Sequence, residues 1–157
     1  MKNKKINCSR GVTLEGPILI KPDIYYDKRG NFHEAWNNKK FNELIGKDIN
    51  FVQDNESTSI KGVIRGLHFQ KNPLAQGKLI RVLNGSIYDV IVDIRSNSNT
   101  FRSWSGVFLN DDKKEQLWIP EGFAHGFLVL SDFAKIVYKV TNFWTPDLER
   151  TLLWNDK

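Results

Sequence analysis

The sequence predicts an all-β fold: an antiparallel sandwich or barrel with one or two short helices. Three observations predict it. Short runs rich in Val, Ile, Phe, Tyr and Trp recur at hairpin spacing between turn residues, about ten of them. Helical signal is confined to Asn38 to Leu44. The strand–helix alternation that builds parallel sheets is missing.

In chain order, the basic run Lys2 to Lys5 reads as a solvated tail. Gly16 to Ile20 and Asn31 to Trp36 read as strands, and the helix that follows is ended by Gly46. Further strands fall at Lys78 to Val82, Ser86 to Ile94, Ser103 to Leu109, Glu115 to Ile119, Gly126 to Leu130 and Lys135 to Thr141. Asn84-Gly85 is a tight-turn pair and predicts a hairpin between the two strands it separates. Ser86 to Ile94 alternates, with Ile87, Asp89, Ile91 and Asp93 on one face and Tyr88, Val90 and Val92 on the other. Two readings follow: the aspartates line a polar cavity, or their face is solvated and the valine face is core.

Length and composition bound the rest. The chain has 157 residues, about one domain's worth, with 40% hydrophobic and 26% charged residues. No repeat or Pro/Gly/Ser linker divides it, so residues 1–157 read as a single domain. No apolar run approaches the roughly 20 residues that span a bilayer, and no signal-peptide core follows the basic N-terminus. Cys8 is the single cysteine, which excludes an internal disulfide and predicts a reducing, cytoplasmic setting. Lys and Arg total 23 against 18 acids, a formal charge of +5, which favours anionic partners. That charge is spread along the chain, with no nucleic-acid motif, zinc spacing or basic amphipathic helix. The expected partner is a phosphorylated or nucleotide-linked small molecule held by a few arginines, with neither nucleic acid nor membrane.

The three histidines are His33, His68 and His125. Arg65-Gly-Leu-His68-Phe-Gln70 sets a basic residue and a histidine around a glycine, and Pro120-Glu-Gly122-Phe-Ala-His125 brings a second histidine out of a turn. Together the segments resemble the two motifs of cupin (jelly-roll) barrels. Gly62 and His68 match the first motif, and Pro120, Gly122 and His125 match the second. Where metal-binding cupins carry a second histidine and a glutamate, this chain has Gln70 and the window Leu74–Ala75. Two imidazoles without a carboxylate make a poor divalent site, so the expected barrel holds no metal.

Longer ordered stretches resemble one family more closely. They are Asp27-x-Arg29-Gly30-x-Phe32-x-Glu34, Phe51-Val-Gln53-Asp-Asn55-x-Ser57, Gly62-Val-Ile-Arg65-Gly-Leu-His68-Phe-Gln70, Gln76-Gly-Lys78-Leu, Asp89-x-x-x-Asp93-Ile-Arg95, Gln116-Leu-Trp-Ile-Pro-Glu-Gly-Phe-Ala-His125-Gly-Phe, Tyr138-Lys139 and Trp154-Asn-Asp156. In this order they are similar to the dTDP-4-dehydrorhamnose 3,5-epimerase family, from about Ile18 to Asp156.

The resemblance implies a cofactor-independent epimerase acting at C3, and also C5, of a dTDP-linked 4-keto-6-deoxyhexose. Such chemistry needs a base, an enolate stabiliser and an acid. It implies His68 as base, Tyr138 as acid and Lys78 facing the enolate oxygen, with His125 and Asp89 as a supporting pair. Arg65 and Arg29 are the implied phosphate ligands, whose planar forks match phosphate oxygens. Gln53 and Asn55 add neutral hydrogen bonds. Tyr25, Phe32 and Trp144 are the implied stacking partners of the thymine, with Glu34 accepting from its edge. Arg29, Phe32 and Glu34 are expected to reach the cavity of a neighbouring subunit in a homodimer with exchanged N-terminal strands. His33 alternates away from them and takes no site role.

Members of the family usually continue 20 or more residues past Trp154-Asn-Asp156, with a Ser-x-Lys-Asp segment whose aspartate pairs with the base histidine. The sequence in hand ends at Lys157. Three explanations stand: truncation, substitution by Asp156 or another acid, or a weakened or single-position epimerase. Two alternative functions accompany the epimerase: a 3,4-ketoisomerase on the same scaffold, and a non-catalytic sugar-nucleotide binder.

Overall fold

The β-branched and aromatic runs assemble into two facing antiparallel sheets, in a computed structural model that describes residues 2–156. The six-stranded sheet runs in the order β1 (Lys2–Asn7), β2 (Thr13–Lys21), β10 (Gln116–Ile119), β7 (Lys78–Asn84), β12 (Phe133–Val140), β5 (Gln53–Ile60). The five-stranded sheet runs β13 (Glu149–Thr151), β6 (Ile64–Gln70), β11 (Phe123–Val129), β8 (Ser86–Asp93), β9 (Trp104–Asn110). A separate hairpin pairs β3 (Ile24–Asp27) with β4 (Gly30–His33). The expected cupin-like barrel is the observed architecture.

The main core lies between the sheets. Ile80, Val82, Leu117, Ile119 and Ile136 from one meet Ile87, Ile91, Leu109, Phe127 and Val129 from the other. Alternation decides this face. On β8, Ile87, Asp89, Ile91 and Asp93 are all fully buried while the valine face is only half-buried, so the aspartate face is the inward one, though neither aspartate lines the cavity between the sheets. A second cluster lies on the outer face of the six-stranded sheet. There Phe41 of α1 (Asn38–Ile45) packs on Leu79 and Trp118. The helix starts where the Asn37 side chain accepts the Lys40 N–H at 3.1 Å, and it stops at Gly46 in the left-handed region. All four residues of β10 are buried because this strand is covered on both faces. Asn31 to Trp36 is strand only to His33. Beyond it Glu34 turns to Lys40 at 2.8 Å and Trp36 joins the second cluster.

Two expectations are corrected. Asn84-Gly85 makes no hairpin: β7 pairs with β10 and β12, whereas β8 pairs with β11 and β9. The turn carries the chain from one sheet to the other, because both strands already have ladder partners on each side. Gly85, at φ 83°, is fixed by donating its N–H to Asp111 Oδ2 at 3.0 Å. The Lys2 to Lys5 run is likewise no tail. It is strand β1, paired to β2 with Lys5 opposite Ile18, its lysines exposed along a sheet edge. Edge lysines discourage further strand addition. Strands β5, β6 and β13 carry no clean apolar alternation; of the eight residues of β5, only Ser59 is buried.

Buried Asp93 organises the loop after β8. Arg95 donates to both its oxygens at 2.9 and 2.8 Å, and Ser98 and Thr100 donate at 2.6 and 2.7 Å. Burial alone would raise this carboxyl's pKa, but those donors outweigh it and hold it well below the usual range. Asp93→Ala is expected to lower unfolding stability by about 2–3 kcal/mol in urea titrations, since it strands three donors. Because the folded pKa is depressed, the contribution is full above the unfolded carboxylate value near ~4 and is lost as pH falls through the folded one. The gap between wild type and variant is therefore expected to narrow in acid.

Candidate active site

Arg65 and His68 sit three residues apart on β6, a spacing that alternation would place on opposite faces. A bulge resets the parity. His68 pairs with His125 and Arg65 with Phe127, so β6 carries one more residue than β11 between the two pairs. Gly66, at φ 120°, makes the close approach: a Cβ there would stand 2.5 Å from Gly126 Cα. Both functional side chains therefore line one cavity of about 370 Å³ between the sheets.

That cavity gathers most of the expected residues. From the five-stranded sheet come Arg65, His68 and His125; from the six-stranded sheet come Gln53, Asn55, Lys78 and Tyr138. Trp144 closes one side, its backbone N–H donating to Gln53 Oε1 at 3.2 Å. Asp89 lies behind the wall, fully buried, with Oδ2 2.9 Å from His125 Nε2. Arg65 Nε donates to Ser59 Oγ at 2.8 Å. The Lys78 ammonium donates to the His68 backbone carbonyl at 3.5 Å.

Burial tunes three of these groups. It pushes the Lys78 amine down to about 8, opposed by the charges of Glu149 and Asp89. It lowers the His68 imidazole below its ordinary value, with Glu149 opposing and Lys78, His125 and Arg65 reinforcing. It raises the Tyr138 phenol, helped by Glu149 and opposed by Arg65. At neutral pH the cavity thus holds a neutral imidazole, a protonated phenol and a mostly protonated amine. That is the protonation pattern for removing a proton from one face of a carbon acid and returning one to the other.

Four expected residues lie elsewhere in the chain. Tyr25, Arg29 and Phe32 line a groove on the β3–β4 hairpin, where Tyr25 and Phe32 are 64% and 69% exposed. Arg29 is paired to Asp27 at 2.6 Å, and Glu34 to Lys40. Gln70, in the place of a cupin's second histidine, is tied to loops: its amide donates to the carbonyls of Leu74 and Phe143, and its Oε1 accepts from Thr145 N–H at 2.8 Å. It thereby holds the loop that carries Trp144. His33 is absent from the cavity wall. Sequence reasoning missed Glu149 and Thr151, which reach His68 from β13; three residues, Glu-Arg-Thr, give no strand signal to find them by. A larger groove of about 720 Å³, walled by Glu15, Arg95, Trp118 and Glu121, holds none of the expected site residues.

Comparisons with known proteins give similarities in sequence and in fold. The pattern of the family described as dTDP-4-dehydrorhamnose 3,5-epimerase matches residues 11–157. The chain is 54% identical over 140 residues to the dTDP-4-dehydrorhamnose 3,5-epimerase of Shigella flexneri, covering 89% of this chain and 77% of that one. A crystal structure of the dTDP-6-deoxy-D-glucose-3,5-epimerase of Legionella pneumophila Philadelphia 1, in complex with dTDP-4-keto-L-rhamnose, matches with a TM-score of 0.90 at 46% identity, over 99% of this chain and 80% of that one. A 3'-monoepimerase of Streptomyces bikiniensis in complex with dTDP-quinovose matches with a TM-score of 0.84 at 31% identity, over 88% and 70%. No helix among the described residues is long and apolar enough to cross a membrane.

Proposed function

The chain belongs to the dTDP-4-dehydrorhamnose 3,5-epimerase family, and on that premise we propose that its cavity epimerises C3 and C5 of a dTDP-linked 4-keto-6-deoxyhexose without a cofactor. The observation that carries this reading is the split of the acid–base groups between opposed sheets. His68 comes from one sheet, and Tyr138 and Lys78 come from the other, across one cavity.

The C–H beside a ketone is acidic because its conjugate base is an enolate. His68, neutral at pH 7, takes that proton and becomes imidazolium. Negative charge grows on the ketone oxygen, where the Lys78 ammonium offsets it. Tyr138 then gives its phenolic proton to the opposite face of the carbon, and solvent exchange restores both groups. Two rounds, at C3 and C5, convert the substrate. The buried His125–Asp89 pair supports the sugar end.

Arg65 holds the diphosphate with its guanidinium fork, and Gln53 and Asn55 add hydrogen bonds. Trp144 stacks on the thymine. We read the exposed β3–β4 hairpin as belonging to the cavity of a second copy, to which Tyr25, Arg29, Phe32 and Glu34 contribute base and phosphate contacts in a homodimer. The lone, buried Cys8 supports a reducing, cytoplasmic setting, and we read the chain as a single cupin-like domain.

Incubation with the 4-keto sugar nucleotide in D₂O tests the reading. Deuterium is expected at C3 and C5; a single labelled position means monoepimerisation, and no label means the proposal is wrong. Tyr138→Phe is expected to keep deuterium exchange, since the base remains, while losing most inverted product. Formation of inverted product at the wild-type rate would remove Tyr138 from the acid role.

A further inference from the structure

The imidazole of His68 has a partner outside the expected site. β13 pairs with β6 so that Thr151 stands opposite His68 and Glu149 opposite Gln70. Two residues apart on a strand, their side chains share a face. Both reach the same ring nitrogen: Thr151 Oγ1 is 3.0 Å from His68 Nδ1, and Glu149 Oε1 is 3.7 Å from it. The other carboxylate oxygen, Oε2, accepts the Trp144 indole N–H at 3.0 Å. Glu149 is the one carboxylate among the described residues that line the cavity, and the one within ion-pair reach of His68.

We propose that Glu149 and Thr151 are positioning residues of the base: Thr151 fixes the ring through Nδ1, and Glu149 stabilises the imidazolium formed on proton abstraction while tying it to Trp144. The proposal rests on reading His68 as that base. With Nδ1–H donated toward β13, the Nε2 lone pair is the one left to take the substrate proton. Once protonated, the ring carries a positive charge among Arg65 on its own strand, Lys78 on β7 and His125 on β11, all of which disfavour it. Among the described residues, Glu149 on β13 is the strongest charge that favours it. Removing that carboxylate takes away the main charge that favours the cation, and the base weakens. The same side chain braces Trp144, so the nucleotide end and the proton-transfer end of the cavity share one carboxylate.

The test is an NMR titration of His68 in the ligand-free full chain. The chain has three histidines, so His68→Gln assigns the resonance by its disappearance. Glu149→Gln is expected to shift the His68 midpoint to lower pH, because a negative charge favouring the cation has gone. Glu149→Asp is expected to restore part of the shift. In turnover, Glu149→Gln is expected to lower kcat on the order of 10-fold, a fraction of the 10²–10⁴ a general base supplies, and to move the acidic limb of kcat/KM to lower pH. Thr151→Val is expected to lower kcat with a smaller change in the midpoint, its hydroxyl being uncharged. A Glu149→Gln midpoint that coincides with wild type overturns the proposal. The titration needs no turnover: a shifted midpoint in a protein that exchanges no deuterium keeps the pairing and defeats the epimerase reading instead.

Discussion

Replacing His68 with alanine is expected to lower kcat/KM by roughly 10²–10⁴, the contribution of a positioned general base, and to abolish deuterium exchange at both carbons. Exchange is the sharper measurement, because it reports proton removal alone. The variant should fold: the His68 side chain is 43% exposed, and its ladder bonds on β6 are made by backbone. Thermal unfolding of the variant is expected to stay close to wild type, within the range of surface substitutions. His68→Asn, which keeps a polar side chain of similar reach, should be equally inactive, since an amide cannot take the proton. If either variant exchanged deuterium within tenfold of wild type, another group would be the base. The approach to full activity on the acidic side should lie below the ordinary imidazole range, because burial lowers the His68 pKa and the neutral ring is the active form.

The second large effect belongs to Lys78. Its ammonium donates to the His68 carbonyl, and the side chain lines the same cavity as the base. Lys78→Met keeps the length of the side chain and removes the charge, so it should fold. It is expected to lower kcat by about 10²–10³, the loss seen when one oxyanion donor is removed, with a smaller change in KM. The pH dependence provides an independent check. Burial pushes this amine down to about 8, so the active ammonium is lost as pH rises through that value. The wild-type profile is expected to fall on the alkaline side near 8, and that limb should move in the methionine variant. A limb near 8 that persists unchanged in Lys78→Met would assign it to another group.

Much of the architecture follows from local pattern. The period-2 runs of β7, β8 and β12 mark strands because apolar side chains at alternate positions must share a buried face. That rule also put Asp89 and Asp93 on one face with Ile87 and Ile91, and burial shows that face to be the inward one. The residues of the ordered motifs, His68, Lys78, Tyr138, Arg65 and His125, converge as expected. Turn chemistry was less reliable. Asn84-Gly85 has the residues of a tight hairpin, yet it links two sheets, because a turn's residues set its local backbone and not which strands find ladder partners. The polar strand β5 carries no hydrophobic pattern: it contributes amide, hydroxyl and carboxylate side chains to the cavity and the solvent side instead of to the core.

By itself, the sequence determined the fold class and the alternation that puts Asp89 and Asp93 on one face of β8, since both are written in residues close together along the chain; it left open which face of β8 turns inward, and it offered candidates for the base, acid and cation through ordered motifs. Tertiary structure alone decided three things. It brought Arg65 and His68 onto one wall through a bulge opposite β11. It kept Tyr25, Arg29, Phe32 and Glu34 out of this chain's own cavity. It also chose Glu149 and Thr151 as the neighbours of His68, the latter 83 residues away. The physical reason is the same in each case: ladder register and close side-chain approach depend on contacts between distant segments, and no local periodicity records which distant segment will arrive.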